Sequence, residues 1–248
     1  METLTISEWN DEELLLVVPR DKVFPNKSVS YHLKMYGYSG IGEILWKVLD
    51  HKDTYAIDNI VDINANVGYI SLIGLMNGKK TYVFESNGSY QRCIEQSLVK
   101  NCIEKGLLTF GNCKIGVSTA VVKKTPLSDI IPNGALLVRI AFANGEEMEI
   151  LNSAQFLLQN ALINLIMLEL QVVKDERLHR TNIQLLLSLV RDYAFALYHF
   201  DQDDSFQKID DFDIYLSVCL RKKEAYNNNI MRFIAVHQSF HKVFSTCL

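Results

Sequence analysis

Two acidic residues set 23 positions apart, Asp62 and Glu85, carry the clearest chemical signal in the sequence. Asp62 lies in the apolar run Ile60-Val61-Asp62-Ile63, the turn Asn64-Ala65-Asn66-Val67-Gly68 follows, and Glu85 ends the next run, Thr81-Tyr82-Val83-Phe84-Glu85. A nucleotide-like ligand lying across the carboxyl ends of parallel strands needs a turn that brings the backbone close to it. It also needs an acid at the end of the second strand to accept the ribose hydroxyl protons. Each residue has a plainer reading, Asp62 as the cap of the next helix and Glu85 as a solvated strand end. Together, at this spacing, they favour the ligand. A dinucleotide fingerprint would require G-x-G-x-x-G, and here Asn64 and Asn66 stand where two glycines would be needed, which decides against NAD.

Other constellations carry less. His237 and His241 are four apart, the spacing that puts two imidazoles on one helical face as metal ligands, yet the segment lacks the Glu of a metalloprotease and no third ligand is evident. The stretch from Asp201 to Asp213 holds six Asp without the Gly and terminal Glu of a calcium loop, so it reads as a solvated tip. No G-x-S-x-G elbow or phosphate loop occurs. Tyr31, His32, Tyr36 and Tyr38 form a polar aromatic stretch suited to a lid or acceptor pocket.

The elements that must position these residues alternate between short apolar runs and helix-period segments, the signature of a parallel α/β sheet. A helix is predicted over Gly40 to His51, with Ile41, Ile44, Leu45, Val48 and Leu49 on one face. Strand Asn59 to Ile63, helix Tyr69 to Met76 with a stop at Asn77-Gly78, strand Thr81 to Glu85 and helix Ser89 to Asn101 follow. Leu107 to Val122 reads as a strand or hairpin, Leu136 to Ile140 as an apolar central strand, Glu146 to Gln159 as a helix, Leu165 to Gln171 as a strand and Arg180 to Arg191 as a helix. Tyr193 to Phe200 and Asp213 to Leu220 are predicted strands with no room for a crossover helix between them, hence antiparallel. Ile230 to Phe244 reads as a last helix. A mostly parallel sheet closed by a C-terminal antiparallel hairpin is the arrangement of the class I methyltransferase (Rossmann-like) fold. One domain is expected over 1–248: an N-terminal extension and first helix to residue 57, a core over 58–220, and a helical tail over 221–248.

Composition agrees with a globular chain. Of 248 residues, 48% are apolar and 22% charged, and the net charge of −4 argues against a protein built to hold nucleic-acid phosphates. Five cysteines without a C-x-x-C pair encode neither a disulfide framework nor a zinc ribbon. The run Leu14 to Val18 is too short for a signal-peptide core, and Ala161 to Val173 too short and too polar for a membrane helix. A soluble, intracellular and most simply cytoplasmic protein is expected. Glycine is scarce, with only 12 residues.

The run VDINANVGYISL resembles the V-D-I-G-A-N-x-G-x-x-[ST]-L signature of FkbM-type S-adenosylmethionine-dependent methyltransferases, and TYVFESNGSYQRCIEQSLVKN resembles the stretch that follows it in that family. The resemblance continues through Thr125 to Ile131 and Glu149-Ile150-Leu151 and ends at Leu168-Glu169-Leu170, spanning residues 58 to 171. It implies that Asp62, Asn64, Asn66 and Gly68 form the methyl-donor turn, that Glu85 holds the ribose, and that Glu43 sits near the donor's amino-acid end. It implies S-adenosylmethionine as cofactor and a hydroxyl of a small molecule or glycan as methyl acceptor, with Glu169 close to the reacting region. Two positions depart from the family. Its first turn glycine is Asn64, and K-I-D-V-E-G reads Arg139-Ile140-Ala141-Phe142-Ala143-Asn144-Gly145, so a carboxylate is replaced by Ala141. A hydroxyl acceptor needs alignment and usually a base; Glu146 or Glu147 could supply one, or they simply favour a helix N-terminus. The alternative is a catalytically degenerate member that keeps the fold as an interaction or scaffold subunit with a protein partner.

Overall fold

The computed structural model describes residues 1–7, 13–19, 40–50, 57–111, 115, 124–131, 136–141, 146–171, 176–200, 206–211 and 230–246. They belong to two compact units, the first comprising Met1–Cys113, Gly134–Arg139 and Val243–Leu248, the second Lys114–Asn133 and Ile140–Lys242.

The first unit opens with an antiparallel pair, β1 (Glu2–Ser7) and β2 (Glu13–Val18), in register Glu2↔Val18 to Ser7↔Glu13. Leu14 to Val18, which the sequence offered only as a short apolar run, is thus a strand. Leu14, Leu16 and Val18 bury one face at period two. The next elements are α1 (Gly40–Asp50), β3 (Asn59–Ile63), α2 (Tyr69–Met76), β4 (Lys80–Phe84), α3 (Gly88–Lys100) and β5 (Leu108–Phe110). The edge of β2 turned away from β1 is satisfied by α3 and its C-cap: Ser97 Oγ accepts from Val17 N–H (2.8 Å), and Asn101 both accepts from Leu15 N–H (2.8 Å) and donates to its carbonyl (2.7 Å).

α1 buries the predicted face, Ile41, Ile44, Leu45, Val48 and Leu49. It packs on α2, where a Cβ at Gly42 would lie 2.0 Å from the Tyr69 hydroxyl. β3 is parallel to β4, with Asp62 beside Val83, and β4 is parallel to β5. From Ile60 to Ile63 every residue of β3 is buried, as expected of a strand covered on both faces. α2 stops where Asn77-Gly78 predicts: Gly78 takes φ 69, and Asn77 and Gly78 N–H donate back to Ile73 and Leu75. Within this unit the strands run β5-β4-β3-β6, where β6 (Leu136–Ala141) has its first residues.

The second unit takes up β6 at Ile140 and adds α4 (Leu127–Ile130), α5 (Glu147–Ser153), α6 (Gln155–Gln159), β7 (Ile163–Gln171), α7 (Glu176–Arg191), β8 (Phe195–Phe200), β9 (Phe206–Lys208) and β10 (Ile230–His237). The strand order continues β6-β7-β10-β8-β9, and β10 is antiparallel to both β7 and β8, as β8 is to β9. The mostly parallel sheet with antiparallel C-terminal strands is the class predicted from the sequence. α8 (His241–Thr246) ends the described chain.

Two expectations change, and a third lies outside the described residues. Ile230 to His237 is a strand, not the start of a helix: inserted between β7 and β8, it buries Phe233, Ile234, Ala235 and Val236 completely, a demand an amphipathic helix would not meet. The predicted partner of β8, Asp213 to Leu220, lies outside the described residues; the described partners are β9 and β10. The helix over Glu146 to Gln159 is two helices broken at Ala154, where Ser153 Oγ donates to the Ile150 carbonyl (2.6 Å) and Ala154 N–H reaches only to Leu151.

Candidate functional site

The turn after β3 alternates its backbone between ordinary and left-handed residues. Asn64 (φ 57), Asn66 (φ 60) and Gly68 (φ 80) all have positive φ. Asparagine is the commonest substitute for glycine there, because its short polar side chain tolerates the conformation. This is the physical reason the segment keeps its shape with one glycine. At Gly68 no substitute fits, since an added Cβ would also meet Ile94 Cγ1 at 2.5 Å. Backbone bonds fix both ends: Asn64 N–H donates to Phe84 C=O (2.8 Å), Gly68 N–H to Ala65 C=O (2.9 Å), and Leu72 N–H to Gly68 C=O (2.8 Å), which starts α2.

Glu85 reaches this turn from the end of β4. Its Oε2 accepts from Asn66 N–H at 2.7 Å and its Oε1 from Asn87 N–H at 2.7 Å. Asn87 is the N-cap of α3, its side chain accepting from Ser89 N–H (2.9 Å), and Gln91 Nε2 donates to the Glu85 carbonyl (2.5 Å). The carboxylate is half-buried, and each oxygen keeps a second lone pair. Asn66 Oδ1 is buried and meets no hydrogen-bond donor among the described residues. A buried acceptor of that kind needs a donor from elsewhere.

The N-cap of α2 is Gly68, not Asp62, and the Asp62 side chain is fully buried. Its Oδ1 accepts from Arg139 Nη1 (2.6 Å) and its Oδ2 from Ser71 Oγ (2.5 Å). Glu43 stands on the exposed side of α1 in an ion pair with Lys47 (2.8 Å), one residue from Gly42, which packs against Tyr69 at the start of α2.

In the second unit Ala141 is buried at the end of β6. Glu146 is exposed, and Lys124 bridges it (3.3 Å) and Glu149 (2.7 Å). The hydrogen bond to Glu149 is the main cause that raises the Lys124 pKa, with Glu146 adding to it and burial opposing it. Glu147 is buried in the first turn of α5. Glu169 is fully buried on β7, directly opposite Arg232 of β10, itself buried. His237 ends β10 and His241 begins α8, so the helical i, i+4 pair does not form. The ring of His237 meets Ser239 (Nδ1 to Oγ 2.7 Å), and His241 Nε2 lies 2.6 Å from the Tyr198 hydroxyl. Among the described residues no group of three or more His, Cys, Asp or Glu side chains could hold a metal, and no helix is long and apolar enough to cross a membrane.

The first unit thus places Asn64, Asn66 and Gly68 in one turn, with Glu85 hydrogen-bonded to Asn66 and Asp62 buried against Ser71 and Arg139. Sequence reasoning missed Arg139, Ser71, Asn87 and Gln91. Arg139 left a signal: it is the one charged residue in Leu136–Ala141, and a charge inside a buried strand implies an opposite charge to meet it.

No family model matches this sequence, and no curated protein matches it. Solved structures do. A METTL16 MTase domain is 11% identical with a TM-score of 0.50, covering 90% of this chain and 72% of its own. A precorrin-6y C5,15-methyltransferase from Geobacter metallireducens is 14% identical (TM-score 0.44, 90% of this chain and 98% of its own), and a human methyltransferase 10 domain containing protein is 14% identical (TM-score 0.46, 90% and 88%). The likeness to the first is one of fold, and the fold is the Rossmann-like one of class I methyltransferases.

Proposed function

We propose that this chain is an S-adenosylmethionine-dependent methyltransferase of the FkbM type, transferring the methyl group to a hydroxyl of a small molecule or glycan. The observation that carries the reading is the hydrogen bond from Asn66 N–H to Glu85 Oε2 within a turn of three left-handed residues. The residues fit the cofactor on their own terms. Glu85 has lone pairs left for a ribose diol, and Asn66 Oδ1 is a buried acceptor awaiting a donor. When bound, S-adenosylmethionine supplies an electrophilic sulfonium methyl. Glu43 is proposed to serve the donor's amino-acid end. Glu146, which is exposed, and Glu169, which is fully buried, are the carboxylates proposed as catalytic candidates.

One observation favours the second reading, a non-catalytic scaffold of the same fold. β6 ends in a buried Ala141, and its charged residue, Arg139, is held by Asp62, so this strand offers the acceptor no carboxylate. Calorimetry with S-adenosylmethionine, followed by assay for S-adenosylhomocysteine release over a panel of hydroxyl acceptors, separates them. The enzyme reading expects binding and release; binding with no release from any acceptor supports the scaffold, and no binding at millimolar ligand overturns the enzyme reading.

A further inference from the structure

Asp62 lies two residues before the first left-handed position of the turn, and Ser71 three residues after the last. We infer that Asp62, Ser71 and Arg139 form a buried clamp that sets the turn in its ligand-ready shape, with Arg139 the positioning residue that holds the Asp62 carboxylate in place. The inference rests on the ligand site proposed above.

The hydrogen bond from Ser71 Oγ to Asp62 Oδ2 ties the penultimate residue of β3 to the first turn of α2 and so closes a loop containing Asn64, Asn66 and Gly68. Positive φ is disfavoured for L-residues and persists only where the surroundings over-determine it. Two sets of contacts do so here. Glu85 holds Asn66 from the half-buried side, but its carboxylate is the group that must also serve a ligand. The other hold, on Asp62, lies wholly in the interior. A fully buried carboxylate is costly unless it is paired and hydrogen-bonded. Arg139, 4% exposed, meets it at 2.6 Å. Arg139 and Ser71 therefore act through Asp62 on the turn, without touching the ligand.

The test combines S-adenosylhomocysteine titration with hydrogen exchange of the ligand-free full chain, read on peptides covering residues 60–72. Ser71→Ala keeps the ion pair, and it is expected to weaken binding about threefold to tenfold and to speed exchange in the turn while the β4 peptides stay protected. Arg139→Met is expected to lose at least about tenfold, and Arg139→Lys to recover most of that loss. Should Arg139→Met fail to fold, Ser71→Ala and Arg139→Lys decide. The clamp is overturned if Ser71→Ala binds as the unmodified chain does with unchanged exchange, while Glu85→Ala has lost binding. If the unmodified chain itself does not bind, the proposed function fails, and exchange in the Ser71→Ala variant still decides the clamp.

Discussion

The Asn66 amide and the Glu85 carboxylate meet at 2.7 Å, joining the turn after the first core strand to the end of the second. The same carboxylate caps the Asn87 amide at 2.7 Å, so one side chain fixes the start of α3 as well. A ligand-binding acid held by two backbone donors is oriented before any ligand arrives, and orientation paid in folding is not charged to binding.

Glu85→Gln should weaken S-adenosylhomocysteine binding by about tenfold, because the charged acceptor becomes a neutral one. Glu85→Ala should weaken it further and also lower stability by about 1–3 kcal/mol, since the Asn66 and Asn87 amides lose their acceptor. Calorimetry and urea unfolding of the two variants check this; equal affinities would show that the ribose is held elsewhere.

At the turn itself, Asn64→Gly should leave stability within about 0.5 kcal/mol, whereas Asn64→Ala should cost about 1–2 kcal/mol for a methyl side chain at positive φ. Gly68→Ala should cost more than either, because the left-handed backbone and the Ile94 side chain both oppose the added carbon. Urea midpoints order the three; a destabilised Asn64→Gly would mean that the Asn64 side chain, not its backbone, is what the turn requires.

What the sequence made legible follows from locality. The turn, its flanking strands and the helices over α1, α2 and α3 are encoded by adjacent residues, through period, Asn-Gly stops and one glycine. The role of Asp62 is not local, since its partner Arg139 is 77 residues away and only the pairing of strands brings them together. β10 was misread for a related reason. Ile230 to Phe244 reads locally as one helix, and only insertion between β7 and β8 makes Ile230 to His237 a strand. The N-terminal pair β1 and β2 was hidden because its edge is completed by side chains of α3 and its cap, a contact with no sequence signature.

The Lys124 bridge gives a pH dependence. Glu149 and Glu146 raise its pKa in the folded chain, so its stabilisation is fully present below the ordinary lysine pKa of ~10.4 and is lost as pH rises through the higher folded value. Lys124→Met should therefore lower the melting temperature at pH 8, and the gap should narrow as pH rises above the ordinary lysine pKa. A gap independent of pH would assign the loss to packing of the lysine stem.

The central claim is that the turn over 64–68 and Glu85 bind S-adenosylmethionine. Calorimetric titration of S-adenosylhomocysteine into the full chain, with NAD titrated in parallel, tests it most directly. The account predicts saturation of one site by S-adenosylhomocysteine, lost in Glu85→Ala, and no heat with NAD. Absence of S-adenosylhomocysteine binding at millimolar concentration, or saturable binding of NAD in its place, would contradict it.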